Sequence, residues 1–244
     1  MTVGTLSRAC CAMLVVVVVP LVGCTPRPTA VATSQATPTM TNTTTTATTT
    51  AAPTTTPRPT IAVTELAPLA ERASLAPNGL KDLGGVMEEE SAEAYPEAYA
   101  LTEVCDLRLL ADRETYVDHY RHWRVGRGGY VVKNFVYAYH NRTAVEVIGE
   151  LISGLGPCDE WTEIDGTTRK LVRNVAVDPP ASLSAFLAFC QDSPDGTKRY
   201  ACVAYLGHGN LVSRVSVARL DYGPRAVDAL QTLLPRAVQA LLTA

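Results

Sequence analysis

From position 61 onward, apolar positions recur with two different periods. Residues 116–123 and 129–140 are dominated by Tyr, Val and Phe and predict two strands, with Gly126-Arg127-Gly128-Gly129 supplying the glycines of a tight reversal between them. Further strands are expected at 161–164 and 170–177, turned by Asp165-Gly166, and at 184–191, 200–206 and 211–219. A helical period intervenes after 140. Thr143 and Glu146 have capping-box spacing, Ala144, Ile148, Leu151, Ile152 and Leu155 fall on one stripe, and Gly154, Gly156 and Pro157 end the run. A last helix opens at Pro224 with Val227, Leu230, Leu234, Val238 and Leu241 on one face, and Pro235 is expected to kink or split it. Earlier, Leu75, Pro77, Leu80 and Leu83 before Gly84-Gly85 predict a short helix, and Glu88-Glu89-Glu90 an exposed, solvated acidic stretch. Helices before, within and after consecutive strands describe an α+β domain, an antiparallel β-sheet flanked by helices.

The first sixty residues follow neither period. Residues 1–23 have a short polar start with Arg8 and an apolar run through Val15 to Val19, Leu21 and Val22, the layout of a signal peptide and too short to span a bilayer comfortably. Leu21-Val22-Gly23-Cys24 resembles a bacterial lipobox, in which the Cys24 thiol takes a diacylglyceryl group and becomes the mature N-terminus. Two acyl chains on one residue make a durable membrane anchor. Residues 24–60 then form the expected tether. Between Thr25 and Thr60 lie 17 threonines and 6 prolines with almost no large apolar residue, a composition that cannot offset the entropy of ordering. Extended as polyproline II at about 3.1 Å per residue, it reaches on the order of 110 Å. The domain is thus expected over 61–244, held off a cell membrane on its extracytoplasmic face.

All 24 acidic residues lie beyond position 60, against 18 Lys and Arg there, so the domain sits near −6. With no basic stripe interleaved with aromatics, nucleic acid is not an expected partner. Four cysteines, Cys105, Cys158, Cys190 and Cys202, fall in the domain, and an exported chain with an even count pairs them in one of three connectivities. Cys190 and Cys202 lie nearly symmetrically about Asp195-Gly196, so a hairpin turning there brings them together and leaves Cys105 with Cys158. A four-thiolate zinc site would want C-x-x-C pairs, which are absent.

The chain contains no G-x-S-x-G, H-E-x-x-H, S-x-x-K or phosphate-loop spacing, and no triad can be assembled from its scattered Ser, His and acidic residues. No catalysis and no cofactor is expected. His119 and His122 point to opposite faces if their segment is a strand, which disfavours a metal pair. Tyr116, Tyr120, Trp123, Tyr137 and Tyr139 are candidates for a ligand-binding cleft, although aromatic strand residues more often build the core.

Cys158 closing the helix that follows the Val131–Tyr139 strand, and Arg199-Tyr200-Ala201-Cys202 leading to Gly209-Asn210-Leu211-Val212, resemble the PknH-like extracellular sensor domain family. That family is found outside the membrane on mycobacterial serine/threonine kinases and as stand-alone lipoproteins. The resemblance spans about 64–243 and implies an antiparallel sheet flanked by helices, two disulfides and a cleft for an unidentified ligand, with no catalytic residues to carry over. Two functions follow as expectations: an envelope lipoprotein that binds a small-molecule, lipid or glycan ligand, or an interaction or structural component that meets another envelope protein. A cell-wall hydrolase ranks behind both.

Overall fold

The computed structural model describes residues 61–94, 100–126, 129–163, 165–173, 175–192, 200–219 and 224–244. The expected leader, anchor and tether lie outside the described residues, as do the Asp195-Gly196 turn and much of the Gly126–Gly129 reversal. In chain order the elements are α1 (Val63–Ala73), β1 (Gly85–Ala94), α2 (Leu110–Glu114), β2 (Thr115–Val125), β3 (Tyr130–Tyr139), α3 (Ala144–Leu155), β4 (Glu160–Thr162), β5 (Thr168–Val172), β6 (Ala185–Asp192), β7 (Tyr200–His208), β8 (Leu211–Arg219) and α4 (Pro224–Leu242). The eight strands form one sheet in the order β1-β2-β3-β8-β7-β6-β5-β4, antiparallel throughout. The domain is α+β, as the alternation of periods implies.

This order follows from two meanders meeting at β3 and β8. α3 carries the chain from β3 to the far edge strand β4 and so must cross one face of the sheet. α1 and α4 cover the other. Strand alternation divides β2 accordingly: Val117, Trp123 and Val125 join the core beneath α1 and α4, while Tyr137 and Tyr139 of β3 join the core beneath α3. α3 begins as its capping box dictates, with the Thr143 amide donating to Glu146 Oε2 and the Glu146 amide to Thr143 Oγ1.

α3 approaches β7 closely because Gly207 has no side chain. A Cβ there would lie 2.8 Å from Ala144 Cβ and 3.1 Å from both Ala185 Cβ and Ile148 Cδ1. Gly207→Val is therefore expected to destabilise the domain by about 2–3 kcal/mol, read as a lower urea midpoint with unchanged slope. A cost under about 0.5 kcal/mol would mean that the helix can lift off without loss.

Four expectations need correction. The first helix is α1, upstream of the predicted one; Leu80 and the 3₁₀ turn Lys81–Leu83 only lead into β1. Glu88, Glu89 and Glu90 are exposed as expected, but they lie on the edge strand β1, where Glu90 pairs with Arg121 at 2.7 Å and Glu88 with Arg124 at 2.7 Å, so cross-strand charge offsets poor strand propensity. Ile152 faces outward, and Val147 takes the buried position on α3. α4 runs unbroken through Pro235, which sits on its exposed side with Gln231, so water can serve the carbonyl the proline leaves unpaired. Among the described residues no helix is long and apolar enough to cross a membrane.

Candidate ligand-binding cleft

The two disulfides are those expected. Cys190 and Cys202 stand opposite each other on β6 and β7, with Cα atoms 4.0 Å apart, and Cys105 joins Cys158 across 6.3 Å. The second bond ties the segment before α2 to the C-terminal end of α3. Cys105 and Asp106 both take left-handed backbone conformations, at φ 64° and 51°.

The five candidate aromatics do not line a common cleft. Trp123 is wholly buried on the α1/α4 face and donates its indole N–H to the Pro77 carbonyl at 3.0 Å. Tyr116 packs at the edge of that same core. Tyr137 and Tyr139 are buried on the opposite face, where desolvation holds both phenols well above their usual range. Tyr120 packs against Phe135 with ring centroids 4.4 Å apart and the rings tilted by 31°, and the Arg214 guanidinium sits 5.3 Å from the Phe135 centroid. These aromatics build the core.

A polar cluster fastens α1 to the sheet. Ser74 Oγ lies 3.1 Å from His119 Nδ1, and His119 Nε2 is 3.4 Å from Glu90 Oε1, a hydroxyl–imidazole–carboxylate sequence. Ser74 Oγ also lies 3.0 Å from the Ala70 carbonyl, to which it can donate. Arg121 shares Glu90 and donates to the Leu75 carbonyl, and the Leu75 amide donates to Asn134 Oδ1. Burial and the Arg121 charge hold His119 below its ordinary pKa, which keeps it neutral. Its role here is to dock the end of α1.

Asp118, opposite Glu93 and Tyr137, is a carboxylate that burial pushes up to about 6; the Glu93 amide opposes the rise and the Glu93 carboxylate adds to it. Its folded pKa exceeds the unfolded value, so between about pH 4 and pH 6 the native state keeps a proton that the unfolded chain has lost. Stability is withdrawn as pH rises through that window. Asp118→Asn should therefore stabilise the domain by about 2–3 kcal/mol at pH 7 and by nothing below about pH 4, measured as the pH dependence of the difference in unfolding free energy. A difference independent of pH would refute this assignment.

Among the described residues, three concavities stand out. One of about 460 Å³ is rimmed by Glu103, Asp106, Arg108, Glu163 and Asp165 over Trp161, most of them exposed. Glu163 there is already paired with Arg169 at 3.0 Å, and among the described residues no group of three His, Cys, Asp or Glu could hold a metal. A second, of about 360 Å³, lies between α4 and the 177–180 loop. The third, of about 250 Å³, lies between the C-terminal half of α3 and strands β5 and β6, and it alone is walled almost entirely by apolar side chains: Ile152, Leu155, Leu171, Leu187 and Phe189, with Ala188 and Gly156. Its one charged group is Arg173, which pairs with Asp159 and donates to the carbonyls of Leu155, Gly156 and Cys158, capping α3. An apolar cavity with one polar anchor has the make-up of a small-molecule site.

Sequence reasoning missed this cleft because its walls come from three separate segments, each of which reads as ordinary core. No family model matches the chain, and no curated protein matches it. Three solved chains do. Among them is the extracellular domain of PknH from Mycobacterium tuberculosis, similar over 77% of this chain and 98% of that one, at 10% identity and a TM-score of 0.45.

Proposed function

We propose that this chain is an exported lipoprotein, anchored to the membrane through lipid on Cys24, whose domain binds a ligand on the extracytoplasmic side without catalysing a reaction. The observation that carries this reading is the apolar cleft between α3 and β5–β6, since a preformed apolar concavity is what a binder needs and a purely structural domain does not. The leader pattern, the lipobox and the four paired cysteines support the extracytoplasmic address. Held outside the membrane by its lipid, the domain would pass its state to a partner protein or simply hold its ligand.

Binding is tested by thermal shift of the full chain carrying Cys24→Ser against a panel of lipids, glycans and small metabolites. The expected result is a shift that disappears when Leu187→Trp fills the cleft. No shift from any compound would count against the reading. The anchor is tested separately by labelling the host with palmitate, which should mark the wild type and not the Cys24→Ser chain.

One observation favours a second reading, an interaction component of the envelope. The outward face of α3 carries Val145, Gly149, Ile152 and Ser153 with no charge among them, and Val145 and Ile152 are 51% and 49% exposed. An uncharged stripe of this kind suits a protein partner. Photo-crosslinking from position 145 in the host that captures one protein reproducibly, with no ligand shift in the panel, would favour it.

A further inference from the structure

We infer that the cleft between α3 and β5–β6 takes the hydrocarbon chain of a single-chain anionic amphiphile, with its head beside Arg173; this rests on the ligand-binding reading above and names the class of ligand. Size comes first. At about 250 Å³ the cavity has room for on the order of eight water-sized groups, enough for one alkyl chain of about that length and too little for two. A partner helix, about 10 Å across, cannot enter it. The walls agree, because Leu155, Leu171, Leu187 and Phe189 offer dispersion and desolvation but no hydrogen bond, so a sugar or a polar metabolite would lose water there without replacement.

Charge fixes the other end. Among the described residues, the charged side chain on the lining is a cation, Arg173. Its present carboxylate partner, Asp159, is 86% exposed, so a ligand carboxylate can replace that contact at small cost while the arginine keeps its bonds to the α3 carbonyls. Ile152 stands at the rim, half exposed, and continues the uncharged stripe of α3, so an incoming chain meets apolar surface before it enters. A two-chain bilayer lipid would leave its second chain in water, which selects the single-chain class.

The test measures binding of hexanoate, octanoate and decanoate to the full chain carrying Cys24→Ser, by titration calorimetry below their micelle concentrations. Each methylene buried contributes about 0.8 kcal/mol, so affinity should rise about fourfold per carbon and roughly fifteen-fold per two-carbon step, then flatten once the chain outgrows the cleft. Ile152→Glu and Leu187→Trp should each weaken octanoate at least tenfold. Arg173→Gln should lower the preference for octanoate over 1-octanol about fivefold, a ratio that mere loosening of α3 would leave unchanged. Vesicles of two-chain phosphatidylglycerol should not compete.

Three results overturn the ligand class. Affinity that does not depend on chain length removes the hydrocarbon site, an unchanged octanoate-to-octanol ratio in Arg173→Gln removes the anionic head, and competition by the vesicles removes the single-chain class. If instead a glycan or metabolite gives a shift that Leu187→Trp abolishes while the carboxylates bind without length dependence, the ligand-binding reading stands and this class falls. Length-dependent binding that survives both cleft variants would sink the cleft itself as the site.

Discussion

Replacing Cys105 and Cys158 together by alanine is expected to cost the domain about 4 kcal/mol, more than loss of the other disulfide. The bond spans 53 positions of chain, and releasing a loop of that length restores about 1 kcal/mol more unfolded-state freedom than releasing the 12 positions between Cys190 and Cys202, for which the same argument gives about 3 kcal/mol. The effect should also be local. Cys158 follows α3 directly and Cys105 precedes α2, so the bond holds the 101–111 segment, with Leu101, Val104, Leu109 and Ala111 buried in the α3-side core, against the helix that walls the cleft. Amide exchange in the doubly substituted chain should quicken first at 101–111 and 152–160, while the central β7–β8 pair keeps its protection. Octanoate binding should fall with it. A loss of less than about 1 kcal/mol in urea unfolding, or exchange that quickens evenly across the sheet, would show that packing alone holds this side together.

Much of this architecture was legible because it is written in local chemistry. Thr143 and Glu146 announce the start of α3, and the near-symmetric placement of Cys190 and Cys202 about a turn announces a cross-strand pair, which the register confirms by setting them face to face. What escaped notice has physical causes. α1 buries Leu66, Ala70 and Ala73, a face made mostly of alanine, whose apolar signal is weak. β1 carries three consecutive glutamates, and its place in the sheet depends on Arg121 and Arg124 some thirty positions away, which no window of sequence contains. Periodicity places Ile152 on the core stripe because it cannot tell a side chain that fills a core from one that borders a gap. A cleft is a place where filling is missing, and hydrophobic pattern records only where filling is available.

The aromatic residues make the same point in reverse, and Trp123 tests it. Trp123→Ala is expected to cost about 4 kcal/mol, because a wholly buried indole leaves both its transfer free energy and a cavity behind. Trp123→Phe should cost about 1–2 kcal/mol, the bond to the Pro77 carbonyl and part of the volume. Since Trp123 lies beneath α1 and α4 while the cleft lies beneath α3, neither substitution should alter octanoate affinity by more than about twofold while the chain remains folded. If Trp123 instead lined a binding surface, the two costs would change places: stability would hardly move and affinity would collapse. Urea unfolding and calorimetry on one preparation of Trp123→Phe separate the two cases, and the indole hydrogen bond, directed at a carbonyl of the 75–80 segment rather than toward any opening, is why stability is the quantity expected to respond.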